Sequence, residues 1–336
     1  MNQTPKIVVI TPVKNEAWIL DRFLAVTSQF ADCIIIADQN STDESPAICK
    51  NYSKVILIQN KSEQFNEAER QILLIQKARE LVPEHKILLA LDADEILAAS
   101  ATKTVGWQSM LKAKPGTVLC FEKPDLYLTP NQCVRHDISW PLGYVDDGIE
   151  HKPTRIHSIR IPVPDYAPRV YIHDVKIVHY SMIRPGNQAS KFRFYSVLEN
   201  VLSTGFGLTR RKKYDSNKLF MGFSKLQFSP SPSEWFNGWE DIGIDMKTVI
   251  TQKYNWQDFE VLKYFHKYGV RRFWLDDIWG FDWEACRLYA KSIGMTNIPD
   301  YKISAQPKII GLIASALTDC YMYIRRFFKG DSKLWS

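Results

Sequence analysis

Along the first hundred positions, short apolar runs alternate with longer stretches whose apolar residues recur at helical spacing. Lys6 to Thr11 reads as a buried strand, and Trp18, Ile19, Phe23, Leu24 and Val26 follow at the period of a helix. Cys33 to Ala37 is a second apolar run ending at Asp38, and Val55 to Ile58 a third. Glu63 to Leu81 has helical spacing and is stopped by Pro83; Ile87 to Leu91 is a fourth apolar run. Runs without alternation suit strands buried on both faces, as in a parallel sheet. Strand and helix in strict alternation predict an α/β fold with a mainly parallel central sheet.

Beyond residue 115 the pattern loosens. Val118 to Glu122 and Val175 to Tyr180 read as strands, and Asn187 to Leu202 as a helix. Pro124 to Pro168 has little periodicity, which inside a compact chain predicts a lid or binding loop. Residues 231–283 are rich in Trp and show no readable period. Lys308 to Lys329 predicts a terminal helix with a wide apolar face flanked by Lys308, Arg325, Arg326 and Lys329. The expected organisation is an α/β domain over 1–205, divided near residue 100, and a helical, Trp-rich extension over 206–336 that ends in the amphipathic helix 308–329.

Composition changes this picture little. The 336 residues are 45% hydrophobic and 24% charged, ordinary globular values. A net charge of +6 suits anionic ligands or an anionic membrane surface and is too mild to argue for nucleic acid. The six cysteines show no Cys-x-x-Cys pair and no zinc spacing, so reduced thiols and a cytoplasmic location are expected. No run of 18 apolar residues predicts a membrane span. The terminal helix instead predicts peripheral contact with the inner face of the cytoplasmic membrane.

The chemistry gathers at strand ends. Thr11-Pro12-Val13-Lys14-Asn15-Glu16 follows the first strand, Asp38 with Ser41-Thr42-Asp43 the second, and Asp92-Ala93-Asp94-Glu95 the fourth. Ser41 or Thr42 is expected to cap the next helix. An isolated Asp-x-Asp is more often a solvated turn. Three such clusters on parallel strands, however, share one edge, where open α/β sheets bind ligands. Three close carboxylates need a positive partner, and Mg²⁺ or Mn²⁺ is the natural candidate. No Gly-x-Gly-x-x-Gly follows the first strand and no Walker motif is present, which argues against dinucleotide and P-loop sites.

Taken together and in this order, the three motifs resemble glycosyltransferase family 2, over residues 5 to about 100. Within that family the likeness is to small bacterial enzymes that add sugars to lipopolysaccharide or capsule precursors. There a phrase similar to His179-Tyr180 follows the core, with a basic helix behind it, here Lys191-Phe192-Arg193-Phe194-Tyr195. The resemblance implies the GT-A nucleotide-sugar-binding fold and inverting, metal-dependent transfer from a nucleotide diphosphate sugar, UDP first, to a glycan or lipid-linked acceptor. Residue by residue, it implies Thr11, Pro12 and Glu16 along the nucleotide and Asp38 on the base. Arg70 would meet donor phosphate, and Asp92 would face the ribose or the metal shell. Asp94 and His179 would be metal ligands. The base would be an acidic residue between the metal carboxylates and His179. Asp174 fits best, with Asp146, Asp147 and Glu150 as alternatives. Two other readings remain open: a nucleotidyltransferase acting on sugar phosphates, and a non-catalytic glycan-binding member of the same fold.

Overall fold

The computed structural model of the chain describes residues 4–62, 65–202, 207–214 and 227–329, without the side chains of Gln227, Arg325, Arg326, Phe328 and Lys329. Glu63, the expected start of a helix, and Phe206, at the expected domain boundary, lie outside the described residues. The chain divides into two units, Met1–Ile183 with Lys225–Ile250, and Arg184–Ser224 with Thr251–Ser336.

The first unit begins with the expected alternation: β1 (Lys6–Val13), α1 (Ala17–Thr27), β2 (Cys33–Asp38), α2 (Ser45–Cys49), β3 (Val55–Gln59), α3 (Glu67–Leu81) and β4 (Lys86–Ala90). Pairing is parallel in the order β3-β2-β1-β4. Val8 and Ile10 of β1 pack with Leu74, Ile75 and Ala78 of α3, while Ile7 and Val9 join a second cluster with Phe23 and Leu24 of α1. Both faces of the strand are therefore buried, which is why its apolar run is unbroken. Each such side chain contributes about 1.5–3 kcal/mol through burial.

The unit continues with β5 (Glu95–Leu97), α4 (Val105–Leu111), β6 (Val118–Glu122), β7 (Asp125–Tyr127), β8 (Thr129–Arg135), β9 (Ser139–Val145), β10 (Arg169–His179) and β11 (Gln227–Pro230). These extend the sheet as β4-β9-β6-β10-β7-β8-β11, now with parallel and antiparallel neighbours, and β5 pairs with β10. The stretch 124–168, expected to be a loop, thus holds three strands, and only 146–168 is irregular. One of the three, β9, lies between β4 and β6. Pro141 and Gly143 hide it from a propensity reading. Pro141 borders a register shift against β6, where a missing N–H is tolerated. Gly143 is packed so closely that an added Cβ would come within 2.9 Å of Leu89 and 3.0 Å of Leu119.

The second unit is helical: α5 (Pro185–Val201), α6 (Gly207–Lys213), α7 (Trp256–Tyr268), α8 (Trp283–Ser292) and α9 (Lys308–Lys329). Stacked rings such as Phe265 on Trp279 fill it, and buried ion pairs join Arg193 to Asp258 and Arg210 to Asp276. The division differs from the expected boundary at 205 in two ways. Helix α5 groups with the helical unit, because its Arg193 is paired with Asp258 of α7. Residues 225–250 return to the first unit, where the Trp239 indole donates to the Leu97 carbonyl and Arg22 pairs with Asp245. Among the described residues, no helix is long and apolar enough to cross a membrane.

Candidate active site

The carboxyl ends of β1, β2 and β4 stand side by side. Val13 is opposite Asp38, Ile10 is opposite Ala90, and Leu91 donates its N–H to the Ile10 carbonyl. The loops after β1 and β2 are buttoned together. Ser41 Oγ accepts from Asn15 N–H, Asn15 Oδ1 accepts from Thr42 N–H, and Asp43 accepts from Ala17 N–H. Asn15 and Asn40 take the left-handed conformation that Asn tolerates, which lets both loops turn sharply. Contrary to expectation, Ser41 and Thr42 do not cap α2, whose N-cap is Glu44; they fix the loop in front of α1.

The acidic turn holds two kinds of carboxylate. Glu95 is fully buried. It accepts from both terminal nitrogens of Arg160 at 2.8 Å, from Lys123 at 2.8 Å, and from the backbone N–H of Asp92 at 3.0 Å. Burial alone would raise its pKa; Arg160 and Lys123 outweigh this and hold it well below the usual carboxylate range. Arg160 also reaches Asp92 at 3.0 Å. Burial opposes its charge, but Asp92 and Glu95 keep it protonated. Much of the positive charge predicted from the crowded acids is thus supplied by the protein, from Arg160 on the 146–168 loop and Lys123 just after β6.

Asp94 belongs to a different set. Strand β5 runs antiparallel to β10, pairing Glu95 with His179, and Tyr180 N–H donates to the Asp94 carbonyl. This places Asp94 Oδ2 at 3.5 Å from His179 Nε2. On the other side of the ring, Asp125 Oδ1 is 2.5 Å from His179 Nδ1, and its second oxygen is 2.6 Å from His136 Nε2. Burial would raise the Asp125 pKa, but the two histidines hold it below the ordinary range, so Asp125 accepts and His179 Nδ1 donates. Burial and Lys123 oppose charge on His179; Asp94 and Asp125 prevail and raise its pKa to about 9. An oxygen and an orienting-carboxylate-backed imidazole facing each other are the donor types of a divalent cation site. Among the described residues, no three His, Cys, Asp or Glu side chains are arranged to hold a metal ion.

Beside the turn, a small hollow is lined by Ile10, Pro12, Arg70, Gln71, Leu74, Ala90 and Arg160. Two guanidinium side chains thus face one concavity. Buried atoms without a hydrogen-bond partner include Thr11 Oγ1, Asp38 Oδ1 and Arg70 Nε. Such atoms each cost about 1–3 kcal/mol and need a reason to persist. Glu16 accepts from the Trp18 indole at 2.7 Å.

The structure therefore brings Thr11, Pro12, Asp38, Asp92, Asp94, Arg70 and His179 to one edge of the first unit. It does not bring the expected base there. Asp174 lies five residues short of His179, about 16 Å along an extended strand, and accepts from Gly106 N–H at the start of α4. A register irregularity in β10 between Ile172 and Lys176 turns it that way. Asp146 is at the opposite end of β4, paired with Arg79 at 2.8 Å and Lys86 at 3.4 Å. Asp147, next to it, accepts from the Tyr144 hydroxyl at 2.7 Å. Glu150 is exposed on the 146–168 loop. Arg193 of the basic helix is committed to Asp258. Sequence reasoning missed Lys123, Asp125, His136 and Arg160. Lys123-Pro124-Asp125 was there to be found, since it ends a strand like the other clusters; Arg160 sits where no period exists to place it.

The resemblance read from the three motifs is borne out over residues 8–105, which match the family model described as Glycosyl transferase family 2. No curated protein matches the chain. Matching solved structures include 4-diphosphocytidyl-2C-methyl-D-erythritol synthase, at 13% identity over 35% of this chain and 59% of that one, with a TM-score of 0.27. Another is glucosyl-3-phosphoglycerate synthase from Mycobacterium tuberculosis in complex with Mn²⁺, UDP and glucosyl-3-phosphoglycerate, at 16% identity over 36% and 44%, TM-score 0.27. A third is mannosyl-3-phosphoglycerate synthase from Rubrobacter xylanophilus, at 12% identity over 38% and 41%, TM-score 0.27. The match spans less than two thirds of the length of each of these proteins.

Proposed function

We propose that the protein is an inverting glycosyltransferase of the GT-A type. It moves a sugar from a nucleotide diphosphate sugar to a glycan or lipid-linked acceptor in cell-surface polysaccharide synthesis. The observation that supports this most is the edge itself: Thr11, Asp38, Asp92 and Asp94 end adjacent strands within the segment that matches the family model. Asp38, with one buried carboxylate oxygen unpartnered, suits a base N–H donor. Arg70, which lines the hollow with an unpartnered Nε, suits the diphosphate. The nucleotidyltransferase reading is weaker, because Thr11-Pro12-Val13-Lys14-Asn15-Glu16 has no glycine to wrap phosphates.

Asp94 and His179 would hold a Mn²⁺ or Mg²⁺ ion, which when bound neutralises charge developing on the leaving diphosphate. Asp125 holds the ring through Nδ1–H, so that Nε2 faces Asp94 and would give up its proton on taking the ion. Glu95, saturated by Arg160 and Lys123, holds the turn that presents Asp92 and Asp94. An inverting transfer needs one base within hydrogen-bond reach of the acceptor hydroxyl. Glu150 is the candidate we retain: it is exposed, and the next residue, His151, is bonded to Gln71 of the hollow. The test is a thermal-shift screen of nucleoside diphosphates and nucleotide sugars with and without Mn²⁺, UDP first. A ligand that binds only the native state raises its apparent stability. A Mn²⁺-dependent rise with a nucleoside diphosphate supports the reading, and no response to any nucleotide refutes it.

A further inference from the structure

Helix α9 is docked by the wrong face for a helix that belongs wholly to a core. The residues it buries are Ala314, Thr318 and Met322, a stripe four residues apart. Arg211 of α6 donates to Ser315 Oγ at 3.0 Å, and Tyr321 meets Thr209 at 3.5 Å, so polar contacts help to hold that side. The large apolar side chains point outward. Ile309 is 63% exposed, Leu312 68%, Ile313 51%, Leu317 52% and Phe327 78%, with Tyr323 and Ile324 also exposed. At 100° per residue these fall in one arc of about 140°, running along a helix of about 33 Å.

We propose that this face of α9 lies in the interfacial layer of an anionic lipid membrane. The breadth of the face and the net positive charge of the helix select this occupant over a second copy of the chain. A two-helix seam uses a narrow stripe with charged residues beside it. Here Leu312, Leu317 and Ile324 occupy those flanking positions and widen the face to the breadth of an interfacial helix. Over its length the helix carries Lys308, Arg325, Arg326 and Lys329 against one acid, Asp319. Lys308 is exposed at one border of the apolar arc, with Asp319 near it. Tyr323 and Phe327 add aromatic rings of the kind that settle at headgroup depth. The inference does not depend on the glycosyl-transfer reading, because nothing in it uses the acidic edge.

The experiment is flotation of the full-length protein with vesicles of phosphatidylethanolamine and phosphatidylglycerol, and with phosphatidylcholine vesicles as the neutral control. A Leu312→Glu/Leu317→Glu variant is run in parallel. Both positions are exposed, so its circular dichroism and thermal midpoint should match the parent. The expected result is flotation with the anionic vesicles, weakened by salt, and partition reduced by about tenfold or more in the variant. Failure of the parent protein to float with anionic vesicles at low salt overturns the proposal. So does equal flotation of parent and variant. A parent that is dimeric, ignores vesicles and becomes monomeric in the variant also overturns it, and assigns the face to a second copy.

Discussion

The acidic edge of the first unit and the buried ion pairs of the second use the same groups for opposite ends. In the helical unit, Asp258 is enclosed by Arg193 and by the Asn255 N–H that starts α7, and Asp276 by Arg210, Ser196 and Asn200. Nothing about either carboxylate faces outward. At the edge, Glu95 is enclosed in the same manner, while Asp94, one residue earlier, keeps 19% of its side chain exposed and faces an imidazole. Enclosure costs differently in the two places. Burial raises the pKa of Asp276 even with Arg210 beside it, whereas two cations pull that of Glu95 down. The number of cations per buried acid thus separates a tie that does not offset its desolvation from one that more than offsets it and holds a charged turn.

The sharpest way to break this comparison is to remove the two adjacent acids one at a time. Asp94→Ala should leave thermal stability nearly unchanged and lower transfer by at least about a hundredfold, the scale of losing a group that stabilises transition-state charge. Glu95→Ala should instead destabilise the first unit by about 3–5 kcal/mol, because Arg160 and Lys123 are left without their shared partner. Thermal midpoints and turnover on the same preparations decide it. If Asp94→Ala proves the less stable of the two, the roles have been assigned the wrong way round.

Asp258→Ala extends the test to the enclosed pair of the second unit. Leaving Arg193 buried and unmatched should cost that unit about 3–5 kcal/mol, read as faster hydrogen exchange along α5 and α7. Donor binding at the acidic edge should persist in the folded fraction. Slow, parent-like exchange in α5 would show that the pair contributes nothing there.

The same contrast explains what could be read from the chain. Strands β1, β2 and β4 were legible because both of their faces are buried, which writes an unbroken apolar run. The bounds expected for α9 match because a 3.6-residue period survives over its whole length. Strand β9 was not legible: Pro141 and Gly143 answer to a register shift and a close approach by Leu89 and Leu119, which exist only once the sheet is assembled. In the motif Asp92-Ala93-Asp94-Glu95, roles were expected for Asp92 and Asp94 and none for Glu95. The i to i+3 turn sends Glu95 inward to Arg160, and a loop without periodicity gives no sign of where its arginine will land.

Asp38→Ala should have a smaller effect than either edge variant. Its expected contact is with the base, far from the bond that breaks, so the loss is of uniform binding. KM for the donor should rise by about tenfold with kcat nearly unchanged. A normal KM with a collapsed kcat would move Asp38 into the chemistry and undo its separation from Asp94.

The smallest expected effect concerns the loop that carries Arg160. His151 is bonded to Gln71 at 3.1 Å, and burial, with Arg79 adding to it, lowers its pKa from 6.5 to about 4 despite an opposing backbone contact at Ile159. In the unfolded chain the ring takes a proton near pH 6.5; in the folded loop it resists until about pH 4. Between those values the open state binds more protons, so stability falls as pH falls through that window and is flat above it. Discounted for the solvent that reaches this half-buried ring, the effect is about 1–2 kcal/mol. His151→Gln keeps a hydrogen-bonding side chain and removes the titration. Amide exchange at the first turns of α3, corrected for intrinsic rates, should accelerate between pH 7 and pH 5 in the parent and much less in the variant. Equal acceleration in both would mean that the loop is held independently of His151.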